Sequence, residues 1–364
     1  MLQNCQLIFT FAMFIWISMV KVSIVIPVYN VARYILRCLE SVVLQEKGSF
    51  KIECVLVDDC SPDDSMEIAK RFVDEYNGSV VFSFLRHDIN KGQSAARNTG
   101  IRNATGDYLF FLDSDDRLEE NALSMMIDAT NQYPDVDYVD GYYLFMKDGN
   151  IYPSREKFYF FSENKKILDL LYKRKLSGLA CNKLLRKKLI VDHSLYFVEG
   201  IIFEDIQWTN RLIRHVSSAV IIPNITYIYE YNPSSTSNTS VVNASKSINS
   251  FSSVIESFLD SGDDAVYVSH KMFVFHYIIM ALDIQNKGKV DDFINKRFLA
   301  VKKRLFLTVL KDCRFVLVFF FLLMYKPFSF FFHFTFFRHH FHEMEYAVTY
   351  IAEKMNWVHK NGEV

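Results

Sequence analysis

Apolar and polar positions alternate in blocks along the first third of the chain, and two kinds of block are present. Short β-branched or aromatic runs are followed by longer stretches in which apolar residues recur every three or four positions. The short runs predict strands buried on both faces, and the periodic stretches predict amphipathic helices. The predicted strands are 22–27, 53–57, 80–85 and 108–112, and the predicted helices include 33–44, 66–76 and 118–133. Strands that alternate with helices predict βαβ units and therefore a parallel sheet with right-handed crossovers.

Polar side chains follow three of the predicted strands at the point where each strand ends. They are Tyr29 and Asn30 after the first strand, Asp58 and Asp59 after the second, and Asp113, Asp115 and Asp116 after the fourth. The carboxyl ends of parallel strands meet at one edge of a sheet, and open sheets of this type bind ligands beyond that edge. We therefore expect these side chains to form one site.

The fourth strand has the most acidic end, with Asp113, Asp115 and Asp116 separated only by Ser114. Three carboxylates this close repel one another unless a cation lies between them, and hard divalent ions such as Mg²⁺ and Mn²⁺ prefer oxygen ligands. The turn therefore predicts a metal site that holds a phosphate. The structural alternative is an acidic turn in which Asp115 or Asp116 caps a helix that starts near Leu118.

Composition and the absence of other motifs narrow the classes of function. A chain of 364 residues has room for one large domain or two smaller ones, and its net charge of −1 argues against a nucleic-acid partner. The six cysteines form no Cys-x-x-Cys pair, so we expect reduced core thiols rather than a disulfide frame or a zinc site. No Gly-x-Gly-x-x-Gly follows the first strand, and no Gly-x-x-x-x-Gly-Lys-Ser/Thr is present, which argues against dinucleotide and P-loop sites.

Four segments together resemble glycosyltransferase family 2, whose members have the GT-A fold. They are Val-Ser-Ile-Val-Ile-Pro-Val-Tyr-Asn (22–30), Val-Asp-Asp-Cys-Ser-Pro-Asp (57–63), Asn-Lys-Gly-Gln-Ser-Ala-Ala-Arg-Asn-Thr-Gly-Ile (90–101) and Phe-Leu-Asp-Ser-Asp-Asp (111–116). They occur in the order and spacing of the family and cover residues 21–135, and weaker resemblance continues to residue 235. The resemblance implies an α/β GT-A (nucleotide-diphospho-sugar transferase) fold, with a mainly parallel central sheet flanked by helices.

The resemblance also implies a site for a nucleotide-diphospho sugar, with a UDP-sugar as the expected donor. The implied donor-binding residues are Pro27, Tyr29, Asn30, Asp58, Asp59, Lys91, Arg97, Asp113, Ser114 and Asp115. Within this set, Asp113 and Asp115 would be the family's Asp-x-Asp, which binds Mn²⁺ or Mg²⁺ on the diphosphate. The metal would act as a Lewis acid for the departing nucleoside diphosphate. The structural alternative for Arg97, together with Asn98, is that the pair only pins a loop to a helix start.

A second acidic pair, Glu204-Asp205, matches the family's Glu-Asp motif ahead of a predicted helix. Inverting transfer by direct displacement needs one carboxylate to take the proton of the acceptor hydroxyl. We predict Asp205 as this base, with Glu204 positioning it or substituting for it, because a helix N-terminus keeps a carboxylate ionised. An ordinary acidic helix cap is the alternative. Trp208 either walls the acceptor site or fills the core. No Gln-x-x-Arg-Trp follows, so transfer of one sugar per event is expected rather than processive synthesis.

The chain departs from the family pattern at two places in this half. Cys181 stands where the family usually has Trp, which removes an aromatic stacking role there, and Glu230 stands near a position that often carries Arg. An arginine contact to the donor phosphate is therefore not expected from this segment. Lys183 and Arg186 are either surface charges or phosphate contacts.

The C-terminal region of the chain predicts membrane association, and the N-terminal end has three readings. Residues 1–20 form an apolar N-terminal extension, read as an anchor, a signal peptide or sequence upstream of a true start at Met19. The expected organisation is this extension, a GT-A domain over 21–240, and a helical, basic and aromatic membrane-associating region over 241–364. Residues 287–314 are basic, and the apolar runs 315–325 and 328–337 follow. An interfacial or re-entrant segment on anionic cytoplasmic lipid is expected, with a spanning segment or a buried hairpin as alternatives.

Taken together, these expectations describe an inverting, metal-dependent hexosyl- or N-acetylhexosaminyltransferase. It would move one sugar from a UDP-sugar to a glycan or lipid-linked oligosaccharide acceptor in surface polysaccharide synthesis, at the cytoplasmic face of the inner membrane. Two alternatives are a nucleotidyltransferase and a catalytically inactive, membrane-associated scaffold of a glycan assembly complex. The first normally has a Gly-rich basic loop after the first strand, where this chain has Pro27-Val-Tyr-Asn.

Overall fold

The structure is a computed structural model that describes residues 19–146, 159–172, 176–233, 244–260 and 290–310, together with the helical positions 277, 281, 284 and 285. The expectations for residues 1–18 and for the apolar runs after residue 310 lie outside these ranges. Within them the chain forms two compact units. The first draws on the segments 1–162, 181–196 and 217–231, and the second on 163–180, 197–216 and 232–364. The predicted domain boundary near residue 240 stays a prediction.

The strands of the first unit belong to one sheet. Its members are β1 (Lys21–Val28), β2 (Lys51–Asp58), β3 (Val81–Arg86), β4 (Tyr108–Phe111), β5 (Arg117–Leu118), β6 (Tyr138–Met146), β7 (Tyr159–Phe161), β8 (Lys183–Arg186) and β9 (Ala219–Glu230). Their spatial order is β3-β2-β1-β4-β8-β6-β9-β5, with β7 paired to β9. The four predicted strands are confirmed as β1 to β4.

Helices accompany this sheet and make up the described part of the second unit. In the first unit they are α1 (Ile35–Val43), α2 (Ser65–Glu75), α3 (Gln93–Asn103), α4 (Ala122–Gln132) and α6 (Lys187–Asp192). In the second unit they are α5 (Asn164–Tyr172), α7 (Glu204–Ile213), α8 (Ala244–Leu259) and α9 (Asp292–Leu310). The result is an α/β fold in which helices follow the first three strands, as the alternating pattern predicts.

The sheet is mixed, so the expectation of a mainly parallel sheet is confirmed for β1 to β4 and for β6 with β9, and is wrong for the pairs that involve β5, β7 and β8. β1 pairs in parallel with β2 and β4, and β2 pairs in parallel with β3. β8, however, runs antiparallel to β4 and β6, and β9 runs antiparallel to β5 and β7. The regular strand–helix alternation that predicted parallel pairing extends only to α4, so the later strands are not subject to that constraint.

The start of α4 differs from the prediction. Arg117 and Leu118 pair with the end of β9 as the short strand β5, and the helix begins at Ala122 instead of near Leu118. Asn121 precedes the helix in a left-handed conformation with φ of 63°, which asparagine tolerates better than most residues. A helix cap at Asp115 or Asp116 is therefore wrong, because a strand follows these residues directly.

Close packing places α3 directly on the parallel strands. A Cβ atom at Gly100, within α3, would overlap the side chain of Val25 in β1. Glycine at this position therefore sets how closely the helix approaches the sheet, rather than ending an element. The same constraint acts in the second half of the sheet, where a Cβ at Gly141 would overlap Thr226.

Trp208 lies in the core of the second unit. Its side chain is fully buried, and its ring stacks on Phe197 with a centroid distance of 4.4 Å. The reading in which Trp208 walls an acceptor site is therefore not supported.

The described cysteines agree with the expectation of reduced core thiols. Cys38, Cys54 and Cys181 are buried free thiols, and Cys60 is a half-buried free thiol. Cys5 and Cys313 lie outside the described ranges.

A buried carboxylate ties together the amino ends of the central strands. Glu53 in β2 accepts hydrogen bonds from the Ser23 hydroxyl, the Thr105 amide and the Thr105 hydroxyl (2.6 Å), and its carboxylate lies 2.5 Å from Lys21 Nζ. Burial raises the pKa of Glu53, but the hydrogen bonds from Lys21, Ser23 and Thr105 outweigh it and lower the pKa from 4.5 to about 2. The network therefore stabilises the fold at the edge opposite the predicted site.

We expect Glu53→Gln to lower the free energy of unfolding by about 2 kcal/mol at neutral pH, because it removes a charged acceptor from several buried donors. Since the folded-state pKa is depressed, the contribution of Glu53 is complete above pH 4.5 and is lost as the pH falls towards about 2. Urea unfolding at a series of pH values measures both effects.

The matched control is Glu67→Gln, which alters an exposed pair between Glu67 and Arg71 on α2. We expect it to change the free energy of unfolding by less than about 0.5 kcal/mol. Equal losses for the two variants would contradict a stabilising role of the Glu53 network.

Candidate active site

The carboxyl ends of β1 to β4 meet at one edge of the sheet, because these four strands are mutually parallel. Val28 at the end of β1 is in register with Asp58 at the end of β2, and Asp58 is in register with Arg86 at the end of β3. The structure therefore brings together all the polar strand ends that the sequence singled out. It adds a fourth, His87, directly after β3.

The loops after β1 and β2 are bound to each other. The Asn30 amide donates to Ser61 Oγ (2.8 Å), and the Ala32 amide donates to Asp63 Oδ2 (2.8 Å). Asp63 also accepts from the hydroxyls of Ser61 and Ser65. Burial raises the pKa of Asp63, but these hydrogen bonds outweigh it and lower the pKa below the ordinary value. The two loops thus form one support for the exposed residues above them.

The three candidate residues from β1 differ in how far they reach solvent. Pro27 is buried within β1, beyond Val25, which is the last residue that β1 pairs with β4. A residue without an N–H group is tolerated where no ladder bond is required. Tyr29 is 47% exposed, and Asn30 is exposed with a left-handed φ of 55°. Tyr29 and Asn30 can therefore contact a ligand directly, whereas Pro27 shapes the strand end.

Asp58 and Asp59 are both buried and both bind groups of the protein itself. Asp58 accepts from the Ser61 amide (2.7 Å) and lies 3.5 Å from Arg86 Nε. Asp59 is 2% exposed and accepts from the amides of Lys91 (2.9 Å) and Gly92 (2.7 Å). Their predicted contacts to base and ribose remain predictions.

Arg97 lies on the inner side of α3 and binds the acidic turn. Its guanidinium is 3% exposed and donates to Asp113 Oδ1 at 2.7 Å, and Gln93 donates to the same oxygen at 3.0 Å. Asp113 itself is 20% exposed, so it lies between the helix and solvent. This ion pair joins the turn to α3, which is also what the alternative of a loop-pinning Arg97 predicts. Lys91 is exposed beside the start of the same helix.

The Asp113–Asp116 turn is held from the far side by β9. Tyr227 donates its hydroxyl hydrogen to Asp116 Oδ2 (2.7 Å) and accepts from the Asp113 amide (3.2 Å), and the Glu230 amide donates to Asp116 Oδ1 (2.9 Å). Burial raises the pKa of Asp116 well above its ordinary value, and the neighbouring Asp115 and Asp113 carboxylates raise it further. Asp116 is thus a buried anchor of the turn instead of a helix cap.

Two arginines approach the turn from another direction. Arg37 of α1 donates to the carbonyl oxygen of Asp115 (3.1 Å) and lies 3.6 Å from Glu230 Oε2. Arg117 donates to Glu230 Oε1 at 2.9 Å. Glu230, which stands near a position where the family often has Arg, therefore pairs with two arginines beside the turn.

The residues of the turn fit a divalent ion bound together with a diphosphate. Mg²⁺ in such sites usually has one or two protein carboxylates, with substrate phosphates and water completing the shell. Asp113 and Asp115 are both half-buried, whereas Ser114 between them is 6% exposed. Among the described residues, no group of three His, Cys, Asp or Glu side chains could hold a metal ion by itself. The turn offers two carboxylates, Asp113 and Asp115, of the kind that such an ion takes from a protein.

Lys183 is the first residue of β8 and Cys181 lies just before it, and both side chains are buried. Lys183 is fully buried, with its Nζ 3.3 Å from the Cys181 carbonyl oxygen and 4.0 Å from Asp140 Oδ1. Arg186 pairs with Asp135 at 3.1 Å. The expectation of surface charge at Lys183 is therefore wrong.

In the second unit, α7 begins with the predicted acidic pair. Glu204 is buried and Asp205 is half-buried, and both lie in the first turn of the helix. The residue before them, Phe203, has a left-handed backbone with φ of 60°, and its ring stacks on Phe251 at 4.8 Å. Such a conformation is rare for an aromatic residue, and its cost is tolerated only where the surroundings impose it. The start of α7 is therefore held in a defined and strained geometry.

Sequence reasoning missed His87, Gln93, Tyr227 and Arg37. His87 follows the end of β3 directly, so the pattern of polar residues after strands also identifies it. No local pattern identifies the contact of Tyr227 with the turn. Tyr227 lies 111 residues from its partner Asp116, in a strand whose neighbours the sequence does not reveal.

Comparison with known proteins places this site in a family. The model of the family described as "Glycosyl transferase family 2" matches residues 23–193, which include every candidate donor residue. Glycosyltransferase GlyG of Streptococcus pneumoniae is 32% identical over 224 residues, which are 57% of this chain and 70% of GlyG. The chain belongs to glycosyltransferase family 2. Other relatives are matched over less of their length: GlyA of the same organism is 38% identical over 125 residues, which are 34% of this chain but 17% of GlyA.

A further family 2 relative is also represented among solved structures. Poly(ribitol-phosphate) beta-N-acetylglucosaminyltransferase TarS of Staphylococcus aureus is 28% identical over 215 residues, which are 58% of this chain and 35% of TarS. The crystal structure of TarS 1–349 in complex with UDP-GlcNAc aligns with a TM-score of 0.62 and 18% identity, over 79% of this chain and 81% of that chain. This likeness confirms a GT-A-like α/β fold for the family 2 chain.

We expect Tyr227→Phe to lower the free energy of unfolding by about 1–2 kcal/mol, because it leaves the Asp113 amide and the Asp116 carboxylate without the hydroxyl that joins them. Urea unfolding monitored by circular dichroism measures the loss. Tyr159→Phe, on the exposed strand β7, removes a hydroxyl of the same kind at the surface and serves as control. If both variants unfold at the parental urea concentration, the hydroxyl does not hold the turn.

Proposed function

We propose that the protein is an inverting, metal-dependent glycosyltransferase that moves one sugar from a UDP-sugar to a glycan or lipid-linked oligosaccharide acceptor. The observation that carries this proposal is the half-buried Asp113–Asp115 pair at the edge where four parallel strands end. That edge is where open α/β sheets bind their ligands. Family membership supports sugar transfer over the nucleotidyl transfer that the sheet alone would also allow.

The relatives support the nature of the donor. TarS has been crystallised with UDP and with UDP-GlcNAc, and its name describes a β-N-acetylglucosaminyltransferase. GgaB of Bacillus subtilis, 34% identical over 111 residues, is named a minor teichoic acid biosynthesis protein. A hexosyl- or N-acetylhexosaminyl-transfer reaction in the synthesis of a surface polysaccharide is therefore the activity that we propose.

In the proposed donor site, exposed and buried residues have different tasks. Tyr29 and Asn30 are exposed at the end of β1 and would contact the base and ribose, and the exposed Lys91 would meet the diphosphate. Asp113 and Asp115 would hold Mn²⁺ or Mg²⁺ on the diphosphate. When bound, the metal supplies Lewis-acid neutralisation of the charge on the departing UDP. Arg97 keeps Asp113 in place through its 2.7 Å ion pair.

The proposed acceptor chemistry needs one base. The acceptor hydroxyl oxygen forms a bond to the anomeric carbon of the donor as the bond from that carbon to the phosphate oxygen breaks. The hydroxyl proton passes to Asp205, and UDP leaves with the electron pair of the broken bond. The first turn of α7 favours an ionised carboxylate at Asp205, because the helix dipole places positive potential there.

We expect the protein to bind UDP more tightly with Mn²⁺ than without it, and we expect Asp113→Asn and Asp115→Asn each to abolish this metal-dependent gain. Isothermal titration of UDP with and without Mn²⁺ measures the effect. Asp205→Asn should retain parental UDP binding and lose at least about 100-fold in kcat for sugar transfer, because it lacks only the base.

The same measurements separate the alternatives. Hydrolysis or transfer from a panel of UDP-sugars, lost in Asp205→Asn while UDP binding persists, supports an enzyme. A parental protein that binds UDP but turns over no nucleotide sugar supports an inactive scaffold. A protein that binds no UDP at any Mn²⁺ concentration contradicts the proposed function.

We also propose that the second unit contacts an anionic membrane surface through α9. One face of this helix is buried, with Phe298, Val301 and Leu305 at most 4% exposed. The opposite face exposes Phe293 (75%) and Leu299 (62%). Large apolar side chains exposed to this extent next to basic residues are typical of helices that lie on a lipid surface.

That exposed face carries two lysines and one acidic residue, Asp292, so its net charge is positive and suits anionic lipid. Lys296 and Lys303 are exposed and, at helical spacing, lie on the same face as Phe293 and Leu299. Arg297 faces the protein instead, where it donates to Glu256 of α8 at 3.3 Å. Among the described residues, no helix is both long enough and apolar enough to cross a membrane. The contact that we propose from the exposed residues of α9 is interfacial, and it fits a cytoplasmic-face enzyme whose acceptor is attached to lipid.

We expect the full chain to sediment with vesicles of equal parts phosphatidylglycerol and phosphatidylcholine, and not with phosphatidylcholine alone. Lys296→Glu with Lys303→Glu should weaken this binding at least tenfold, because each basic residue near the surface contributes about 1 kcal/mol. Phe293→Ser with Leu299→Ser should weaken it by a similar factor.

The matched control is Leu36→Ser with Val81→Ser, which removes two exposed apolar side chains from the first unit. It should leave vesicle binding as it is in the parent. Parental binding in both α9 double variants would overturn the assignment of this face to the membrane.

A further inference from the structure

A chain of hydrogen bonds links the ends of β2 and β3 to helix α3. Asp59, at the end of β2, accepts from His87 Nδ1 (2.7 Å) and from the amides of Lys91 (2.9 Å) and Gly92 (2.7 Å). His87 continues the chain, because its Nε2 lies 2.9 Å from the Thr99 hydroxyl. Asp59 is 2% exposed and His87 is 7% exposed, so the chain is almost completely shielded from solvent.

The direction of these bonds follows from the chemistry of the groups. A carboxylate only accepts hydrogen bonds, so His87 carries its hydrogen on Nδ1 and donates a hydrogen bond to Asp59. In the neutral imidazole, Nε2 then accepts from the Thr99 hydroxyl. The Asp59 carboxylate also fixes Gly92 in a left-handed conformation with φ of 88°, in which the Gly92 carbonyl accepts the helical bond from the Ala96 amide (3.2 Å).

The hydrogen bonds of Asp59 and His87 hold α3 at two points, and the residues that bind the acidic turn lie between these points. Gly92 precedes the helix, and Thr99 lies in its second half. Between them, Gln93 and Arg97 both donate to Asp113 Oδ1, at 3.0 and 2.7 Å. The rotation of α3 about its own axis therefore decides whether both donors reach the same carboxylate oxygen.

We propose that His87 and Asp59 are positioning residues of the donor site. They hold the start and the rotation of α3 so that Arg97 and Gln93 keep Asp113 in the orientation that the diphosphate requires. This assigns Asp59 a task inside the protein in place of the direct ligand contact that its family motif implies. The consequence for catalysis rests on the proposed function, but the effect on the geometry of Asp113 does not.

Three substitutions of His87 distinguish its hydrogen bond to Asp59 from its hydrogen bond to Thr99. His87→Leu removes both ring nitrogens, His87→Asn keeps a donor near the position of Nδ1, and His87→Gln keeps a polar group that reaches towards Thr99. The matched control is His193→Leu, because His193 is an exposed histidine at the end of α6. Thermal unfolding of each variant, in the full chain, measures the folded fraction under assay conditions.

Kinetics with a UDP-sugar should show a positioning role. We expect His87→Leu to raise the donor KM and to lower kcat/KM by about 10- to 100-fold per folded molecule, the range seen when a supporting partner of a catalytic ligand is lost. His87→Asn should recover kcat/KM to within about threefold of the parent, because it restores the hydrogen bond to Asp59. A merely structural role would lower the unfolding temperature and leave the donor KM of the folded molecules unchanged.

A ligand-free crystal structure of each variant tests the geometry without any assumption about activity. In His87→Leu the Arg97–Asp113 separation should increase from 2.7 Å to beyond about 4 Å, whereas it should stay at the parental value in His193→Leu. An unchanged separation in His87→Leu would overturn the proposal, whatever the kinetics show. A parent that neither binds nor cleaves UDP-sugars, together with a lengthened separation, counts against the proposed function alone.

Discussion

Repulsion among the carboxylates of the Asp113–Asp116 turn is the constraint on which the candidate site of the first unit depends. Like charges a few ångströms apart at a half-buried strand end are costly unless each has its own partners. The fold distributes those partners among separate elements: α3 binds Asp113 through Arg97, and β9 binds Asp116 through Tyr227. Asp113 and Asp115 are thereby left half-buried at the surface of the turn, and Asp113 is held by α3. A diphosphate-bound cation would complete the neutralisation that the protein only begins.

This constraint also explains why the sheet is mixed. The parallel strands β1 to β4 create the edge, and β9 reaches the far side of the turn through Tyr227 and the Glu230 amide. β9 does so because it runs antiparallel to β5, which follows the turn directly, so the end of β9 lies beside it. Tyr227 and the Glu230 amide are therefore next to Asp116 as a result of strand direction. The antiparallel pairing belongs to the construction of the site as much as to the sheet.

The sequence predicts the first half of the fold and the identity of the site because both depend on local patterns. Buried runs predict β1 to β4, and polar residues directly after them predict the edge. The helix placed at Leu118 was wrong because β5 forms only through pairing with β9, more than a hundred residues later. For the same reason no local pattern predicts the contact of Tyr227 with Asp116. The burial of Lys183 depends on the strands that neighbour β8, which no local pattern describes. Long-range pairing overrides local propensity at these places.

Buried carboxylates at the two edges of the same sheet show how one chemical device serves two purposes. Glu53, at the amino edge, accepts from two hydroxyls, backbone amides and Lys21, and these partners lie at the start of β1 and just before β4, at the edge opposite the candidate site. Its bonds therefore act on stability. Asp59, at the carboxyl edge, accepts from two amides and a histidine that all lead to α3. Because α3 carries Arg97, the bonds of Asp59 act on the geometry of the turn. The difference between a stabilising and a positioning carboxylate thus lies in the edge of the sheet at which its donors are attached, rather than in its own burial or charge.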